Sequence, residues 1–207
     1  MTTRAEGSAA ERRIIGLTGG IATGKSTVSD YLAAQYGLPV LDADVYARQA
    51  VEKGSDILSA IAHRYGKHIL LSDGTLNRPA LGNIIFQDPT EKKWLEQQIH
   101  PFVRAQFQIE SDALPSNTTL LYSIPLLFEA NLTHLVTEIW VVACSPLQQQ
   151  QRLITRNHLT ESQAQERINA QMDLREKCAR ADHVLDNSEE KEALFEQVDR
   201  LMNFSVR

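Results

Sequence analysis

Three groups of residues in this sequence combine type and spacing in ways that suit phosphate chemistry. The first is Gly19-Gly20-Ile21-Ala22-Thr23-Gly24-Lys25-Ser26, which fits the pattern G-x-x-x-x-G-K-[ST]. Glycines at 19, 20 and 24 let the backbone turn tightly and bring its N–H groups close to an anion. A helix opening near Lys25 points its positive end at the same phosphates. Lys25 then supplies a point charge to the β- and γ-phosphates, and the Ser26 hydroxyl is placed to ligate Mg²⁺. The competing reading is a glycine-rich turn with an incidental lysine, and it leaves the complete match and its flanking strand and helix unexplained. The stretch predicts a site for a nucleoside triphosphate.

The second group is Asp42-Ala43-Asp44. In an extended chain positions 42 and 44 point the same way, and a helix beginning at Ala43 would break that alignment. One carboxylate could hold or orient Mg²⁺ and one could accept a proton from an attacking hydroxyl. Asp42 can equally cap the following helix, whereas Asp44 is not needed for a cap and is the better candidate for chemistry. The third group is Arg152 and Arg156, which share one helix face. Their helical hairpin has little apolar surface, which suits either a lid closing on phosphates or a solvated surface feature. Two single residues join them. His100, before Pro101, is a ligand contact or a local hydrogen-bonding residue. Glu129 is a helix-start acid or a substrate or metal contact.

Hydrophobic patterning supplies the elements that must hold these groups. Arg13 to Thr18 reads as a buried strand, and the helix after Ser26 carries Val28, Tyr31 and Leu32 at helical spacing. Leu38 to Leu41 is a second strand ending at the acidic pair. Open α/β sheets bind ligands outside the carboxyl ends of their strands, so the pair is expected beside the glycine-rich loop. Helices follow over Val45 to Val51, Ile57 to Tyr65 and Arg78 to Phe86, with a turn at Ser72 to Thr75. Asp88-Pro89-Thr90-Glu91 starts another helix, interrupted at His100-Pro101 and resumed from Phe102. About sixty residues of helix exceed an ordinary crossover and read as an inserted substrate-binding subdomain. Later strands are Thr118 to Ile124, Glu138 to Cys144 and Asp182 to Leu185, with a closing helix over Glu189 to Met202. The count is five strands.

Size and charge restrict the classes further. A chain of 207 residues, 43% hydrophobic, makes one domain or a core with insertions. A formal charge of −5 argues against nucleic acid or an anionic membrane as partner. Cys144 and Cys178 form neither a metal spacing nor a disulfide framework, and each is expected to be a small buried hydrophobe. Met1 to Arg12 lacks the apolar stretch of a signal peptide and is expected to be a frayed tail; no run is long enough to span a bilayer. The expected location is the cytoplasm.

With these segments laid out, the chain resembles the dephospho-coenzyme A kinases, relatives of the nucleoside monophosphate kinases. The matching pieces are Leu17 to Ile21 with Lys25 to Val28, Asp42-Ala43-Asp44 with Ala47-Arg48, Arg78-x-x-Leu81, Phe86-x-Asp88-Pro89 and His100-Pro101. Pro125 to Glu129, Arg152 with Arg156, Arg167 to Gln171, and Ala181-Asp182 to Asn187 continue them in the same order. Ala22-Thr23 stands where glycine-serine is common, which the loop tolerates if position 22 keeps φ negative. Asn157 replaces a usual aspartate and leaves one lid contact open.

The resemblance implies an α/β, three-layer P-loop kinase fold with a five-stranded parallel sheet, a helical substrate-binding insertion and a helical lid. The expected division is a tail over 1–12, a nucleotide-binding core over 13–52, 117–148 and 181–207, a helical CoA-binding subdomain over 53–116, and a lid over 149–180. The implied reaction is ATP-dependent phosphorylation of the ribose 3′-hydroxyl of dephospho-CoA to give coenzyme A, by direct in-line transfer. ATP and Mg²⁺ are the expected cofactors. Gly19, Gly20, Ala22, Thr23, Gly24, Lys25, Ser26 and Thr27, with Asn187, are expected to hold ATP. Asp44 is expected to deprotonate the hydroxyl, Ser26 and Asp44 to serve the metal, and Arg152 and Arg156 to act as arginine fingers. Asp42, Arg78, His100 and Glu129 are expected on the acceptor. The partner is thus a small molecule, with neither nucleic acid nor membrane, and the chain is expected as a monomer or weak homo-oligomer. Alternatives are a P-loop kinase for a nucleoside monophosphate or sugar acid, and a switch or motor NTPase. The sequence contains no Asn-Lys-x-Asp and no Leu-Ser-Gly-Gly-Gln motif to favour the latter.

Overall fold

A computed structural model describes residues 12–204. The expected frayed tail therefore lies outside the described residues except for Arg12, whose guanidinium donates to the Pro115 and Ser116 carbonyls. The chain divides into two compact units, Met1–Leu41 with Pro115–Arg207, and Asp42–Leu114. Residues 42–52, expected with the core, group with the helical unit.

The first unit is an α/β layer structure. Strands β1 (Ile14–Gly19), β2 (Val40–Asp42), β3 (Leu120–Ser123), β4 (Glu138–Ala143) and β5 (His183–Asp186) form a parallel sheet in the order β2-β3-β1-β4-β5. The central strand β1 pairs in parallel with both β3 and β4, and β4 with β5. Strands covered on both faces read as continuous apolar runs, which is how Ile15, Leu17, Leu121 and Val142 come to be fully buried. Helices α1 (Lys25–Tyr36) and α9 (Lys191–Phe204) complete that core with Val28, Leu32, Leu194 and Val198. Gly37, at φ +65, ends α1 as a left-handed cap, as its position after Tyr36 predicts.

Between β4 and β5 run α6 (Pro146–Asn157), α7 (Glu161–Asn169) and α8 (Leu174–Ala179). Both longer helices open with the capping boxes their sequences spell, Ser145 with Gln148 and Thr160 with Gln163. The six-residue α8 carries too short an apolar pattern to be read from sequence and was not expected. Its fully buried residue is Lys177.

The second unit packs α2 (Ala43–Gln49), α3 (Asp56–Tyr65), α4 (Arg78–Gln87) and α5 (Pro89–Asp112) around Leu58, Ile61, Ile69, Leu81 and Leu95. The turn at Ser72 to Thr75 forms, with Gly74 at φ +83 and a bridge pairing Leu70 with Leu76. One expectation fails here. Helix α5 runs through His100-Pro101 without a break. Pro101 is exposed and so is Gln97, the residue whose carbonyl loses its i+4 donor, so water can satisfy that carbonyl. The buried stripe of Leu95, Val103, Phe107 and Ser111 continues past the proline.

Candidate active site

The glycine-rich loop joins β1 to α1 in the first unit. Gly24 caps α1 at φ +103, a conformation that strongly favours glycine, and a Cβ there would also strike the Asn187 amide at 2.1 Å. A Cβ on Gly19 would lie 2.6 Å from the Val142 carbonyl oxygen, so β1 and β4 close on each other only over glycine. Ala22 departs from expectation. Its φ is +62, not negative, and the left-handed region costs an alanine about 1–2 kcal/mol. The chain on either side is fastened. Ile21 donates its N–H to Gln171 Oε1 (2.8 Å) and accepts from Gln149 Nε2 (2.9 Å), while Asn187 Nδ2 donates to the Thr23 carbonyl (2.7 Å). Thr23, fully buried, donates its hydroxyl to the Gly20 carbonyl. Three side chains from beyond residue 148 thus shape a loop that ends at residue 26.

Lys25 Nζ donates to Ser123 Oγ at the end of β3. Ser26 stands exposed in the first turn of α1. A cavity of about 270 Å³ is lined by Ala22, Gly24, Thr27, Arg152, Asn187 and Lys191 among others, so Asn187 and Arg152 join the loop in one place. Arg152 Nη2 donates to the Asn187 carbonyl at 3.0 Å, while its buried Nη1 meets no hydrogen-bond acceptor among the described residues. Burial pushes the Cys144 thiol up, and the Arg152 charge opposes that shift. Arg156 differs from Arg152: it is exposed and its Nε donates to Asn157 Oδ1 at 2.9 Å. A larger cavity, about 700 Å³, lies between Gly20, the start of α6, and α7 with α8, and both cysteines line it. Cys144 is buried as expected, whereas Cys178 is only half-buried.

Glu129 is not a helix-start acid: it lies in a turn, and the next helical segment, a single 3-10 turn, begins only at Thr133. Its Oε1 accepts the Met172 N–H at 3.0 Å and pairs with Lys177 Nζ at 2.8 Å. Lys177 reaches the Pro125 carbonyl (3.0 Å) and the Gly19 carbonyl (3.3 Å) as well. No spacing rule singles out this lysine in the sequence.

In the helical unit Asp42 does what a cap does: its Oδ1 accepts the N–H groups of Asp44 and Val45. The helix therefore starts at Ala43, and the extended alignment of the two carboxylates is lost. Asp44 stands exposed in the first turn of α2 and lines a cavity of about 420 Å³ with Arg48, Val51, Arg78, Leu81 and Leu95. Arg48 is a functional candidate that the reading of site residues missed, although its spacing four residues after Asp44 signals a shared helix face. His100 is not among the lining residues, while its neighbour Ile99 is. Burial holds the His100 imidazole below its usual pKa, with Arg104 adding to and Glu96 opposing that shift.

No group of three His, Cys, Asp or Glu able to hold a metal occurs among the described residues. Mg²⁺ is commonly held by one or two protein oxygens together with substrate phosphates and water, and the exposed Ser26 hydroxyl in the first turn of α1 fits such a role. Among the described residues no helix is long and apolar enough to cross a membrane.

Comparison with known proteins brings these observations together. A family model described as dephospho-CoA kinase matches residues 13–192. The chain is 60% identical over 195 residues to the dephospho-CoA kinase of Trichormus variabilis, covering 94% of this chain and 99% of that one. It is 63% identical over 177 residues to that of a Synechocystis strain, covering 86% and 88%. Among solved structures, TT1252 from Thermus thermophilus superposes with a TM-score of 0.82 at 32% identity, covering 95% and 99%. The dephospho-CoA kinase from Campylobacter jejuni gives 0.66 at 26%, covering 92% and 95%.

Proposed function

We propose a function for this chain from the premise that it belongs to the dephospho-CoA kinase family: it transfers the γ-phosphoryl group of ATP to the ribose 3′-hydroxyl of dephospho-CoA, giving coenzyme A and ADP. One observation carries the reading above the others. The segment that matches the family, residues 13–192, contains both the fastened phosphate loop and the cavity rimmed by Asp44, Arg48 and Arg78.

Each part has a physical task. Backbone N–H groups over Gly19 to Thr27 bind the phosphates, and the positive end of α1 favours their charge. Lys25 leaves Ser123 for the β- and γ-oxygens when nucleotide arrives. Arg152 is assigned to the nucleotide because it lines the loop's cavity with Asn187. Arg156, on the exposed side, is assigned a second contact made by the lid. Asp44 orients the acceptor hydroxyl and takes its proton as the O–P bond forms, and Arg48 with Arg78 binds acceptor phosphate. The mixed cavity wall of Val51, Leu81 and Leu95 suits the uncharged part of the acceptor. Ser26, exposed in the first turn of α1, would offer its hydroxyl to Mg²⁺, which would supply charge neutralisation for the nucleotide phosphates. Asp42 supports Asp44 by capping α2, Glu129 supports the loop through Lys177, and His100 is assigned a supporting place in α5. One chain carries both sites, which fits a monomer or weak homo-oligomer.

Coupled ADP release with dephospho-CoA, AMP and gluconate offered separately tests the reading. Turnover is expected with dephospho-CoA alone, with coenzyme A identified by mass. Folded protein with magnesium that consumes no ATP on the CoA precursor would overturn it.

A further inference from the structure

We propose that Lys177 is a positioning residue for phosphoryl transfer, fixing the first peptide of the phosphate loop from beneath. The proposal rests on the kinase reading above. Lys177 is fully buried in α8, and a lysine without water needs a complete set of acceptors. It has one. An ammonium offers three N–H donors, and Lys177 Nζ meets three oxygens: Glu129 Oε1 at 2.8 Å, the Pro125 carbonyl at 3.0 Å and the Gly19 carbonyl at 3.3 Å.

Each acceptor sits where phosphate chemistry depends on backbone direction. Gly19 ends β1 and opens the loop. A trans peptide is planar, so drawing the Gly19 carbonyl towards Lys177 aims the Gly20 N–H the opposite way. Pro125 accepts a second bond from the buried Thr18 hydroxyl at 3.0 Å, which fixes β1 to the segment after β3. Two residues earlier in that segment Ser123 receives the Lys25 ammonium. At its far end Glu129 accepts the Met172 N–H, next to Gln171, whose Oε1 holds the Ile21 N–H. The loop, the 123–129 segment and the chain entering α8 are thereby joined around a single ammonium. Lys177 and Glu129 together carry no net charge, so their effect on phosphates is geometric. Arginine cannot replace the group, because a planar fork does not converge on three oxygens around one nitrogen.

The test compares full-length wild type, Lys177→Met and Lys177→Arg, with kcat and both KM values normalised to folded protein and with Tm recorded separately. A misplaced cradle is expected to lower kcat about 100-fold in Lys177→Met with little change in the dephospho-CoA KM, since displacements near 1 Å are worth that much. Lys177→Arg, which keeps the charge, is expected not to restore it. If Lys177→Met does not fold, the same criterion is applied to Lys177→Arg below its Tm. A variant with lowered Tm and kcat within about two-fold of wild type would reduce Lys177 to a packing role and overturn the proposal. Should wild type itself make no coenzyme A, the kinase reading fails. The lysine is then judged by affinity for a non-hydrolysable ATP analogue with Mg²⁺: about ten-fold weakening in the variant supports the proposal and unchanged affinity overturns it.

Discussion

The phosphate loop and the cavity of the helical unit are held in opposite ways. Around the loop, side chains distant in sequence bind backbone atoms: Gln149 and Gln171 at Ile21, Asn187 at Thr23, Lys177 at Gly19. The other cavity has apolar walls of Val51, Leu81 and Leu95, with exposed charges at Asp44 and Arg78. Under the proposed kinase function, the difference follows from what each is assigned to bind. Phosphate is recognised by N–H groups whose directions are fixed in advance, which requires a rigid backbone. A long, partly apolar acceptor is bound by area and by a few charges, which side chains can supply while adjusting.

Substitutions that separate chemistry from support sharpen this contrast. Asp44→Asn is expected to cost most, about 10²–10⁴-fold in turnover with the fold intact, because it removes the proposed proton acceptor. Steady-state kinetics and circular dichroism check it, and near-wild-type turnover would remove Asp44 from the chemistry. Arg152→Ala is expected to slow turnover about 100-fold and Arg156→Ala by less than about ten-fold, since only the first lines the loop's cavity. Equal effects would mean that the lid brings both to the nucleotide.

The helical unit has its own electrostatic fastening, which pH can loosen. Glu91 in α5 accepts both arms of Arg64 and the Tyr65 hydroxyl from α3. The Arg64 bonds first, and then Tyr65, hold its carboxyl at about 2 against a usual 4.5. A depressed carboxylate stabilises fully above its unfolded value, and that contribution is lost as pH falls towards the folded one. The Tm gap between wild type and Glu91→Gln should therefore be widest at neutral pH and close between about pH 4.5 and 2. A gap indifferent to pH would place the fastening in packing instead. The smallest effect is expected from Ala22→Gly. Relief of about 1–2 kcal/mol of left-handed strain, less about 0.4–1 kcal/mol of added unfolded-chain entropy, leaves about 0–1.6 kcal/mol of stabilisation in urea unfolding. A destabilised variant would show that Ala22 carries no strain.

Much of this was legible in the residue order because the signals are local. The loop pattern, the five strands and the turn at Ser72 to Thr75 each depend on neighbours within a few positions. Local rules misled at Pro101, where a buried stripe longer than the interruption keeps α5 whole. They also left Asp42 between two roles until its oxygen was seen on the N–H groups of Asp44 and Val45.

The sequence by itself determined that a glycine cradle with Lys25 and Ser26 sits between a buried strand and a helix, because that pattern is written in consecutive residues. Only the tertiary structure decided that Lys177, 158 positions beyond Gly19, supports the cradle, that Ala22 takes a positive φ, and that Arg152 and Arg156 have separate surroundings. Those facts depend on which distant segments the sheet order β2-β3-β1-β4-β5 brings to one end of β1. A hydrogen bond has no memory of sequence separation, so no periodicity along the chain records it.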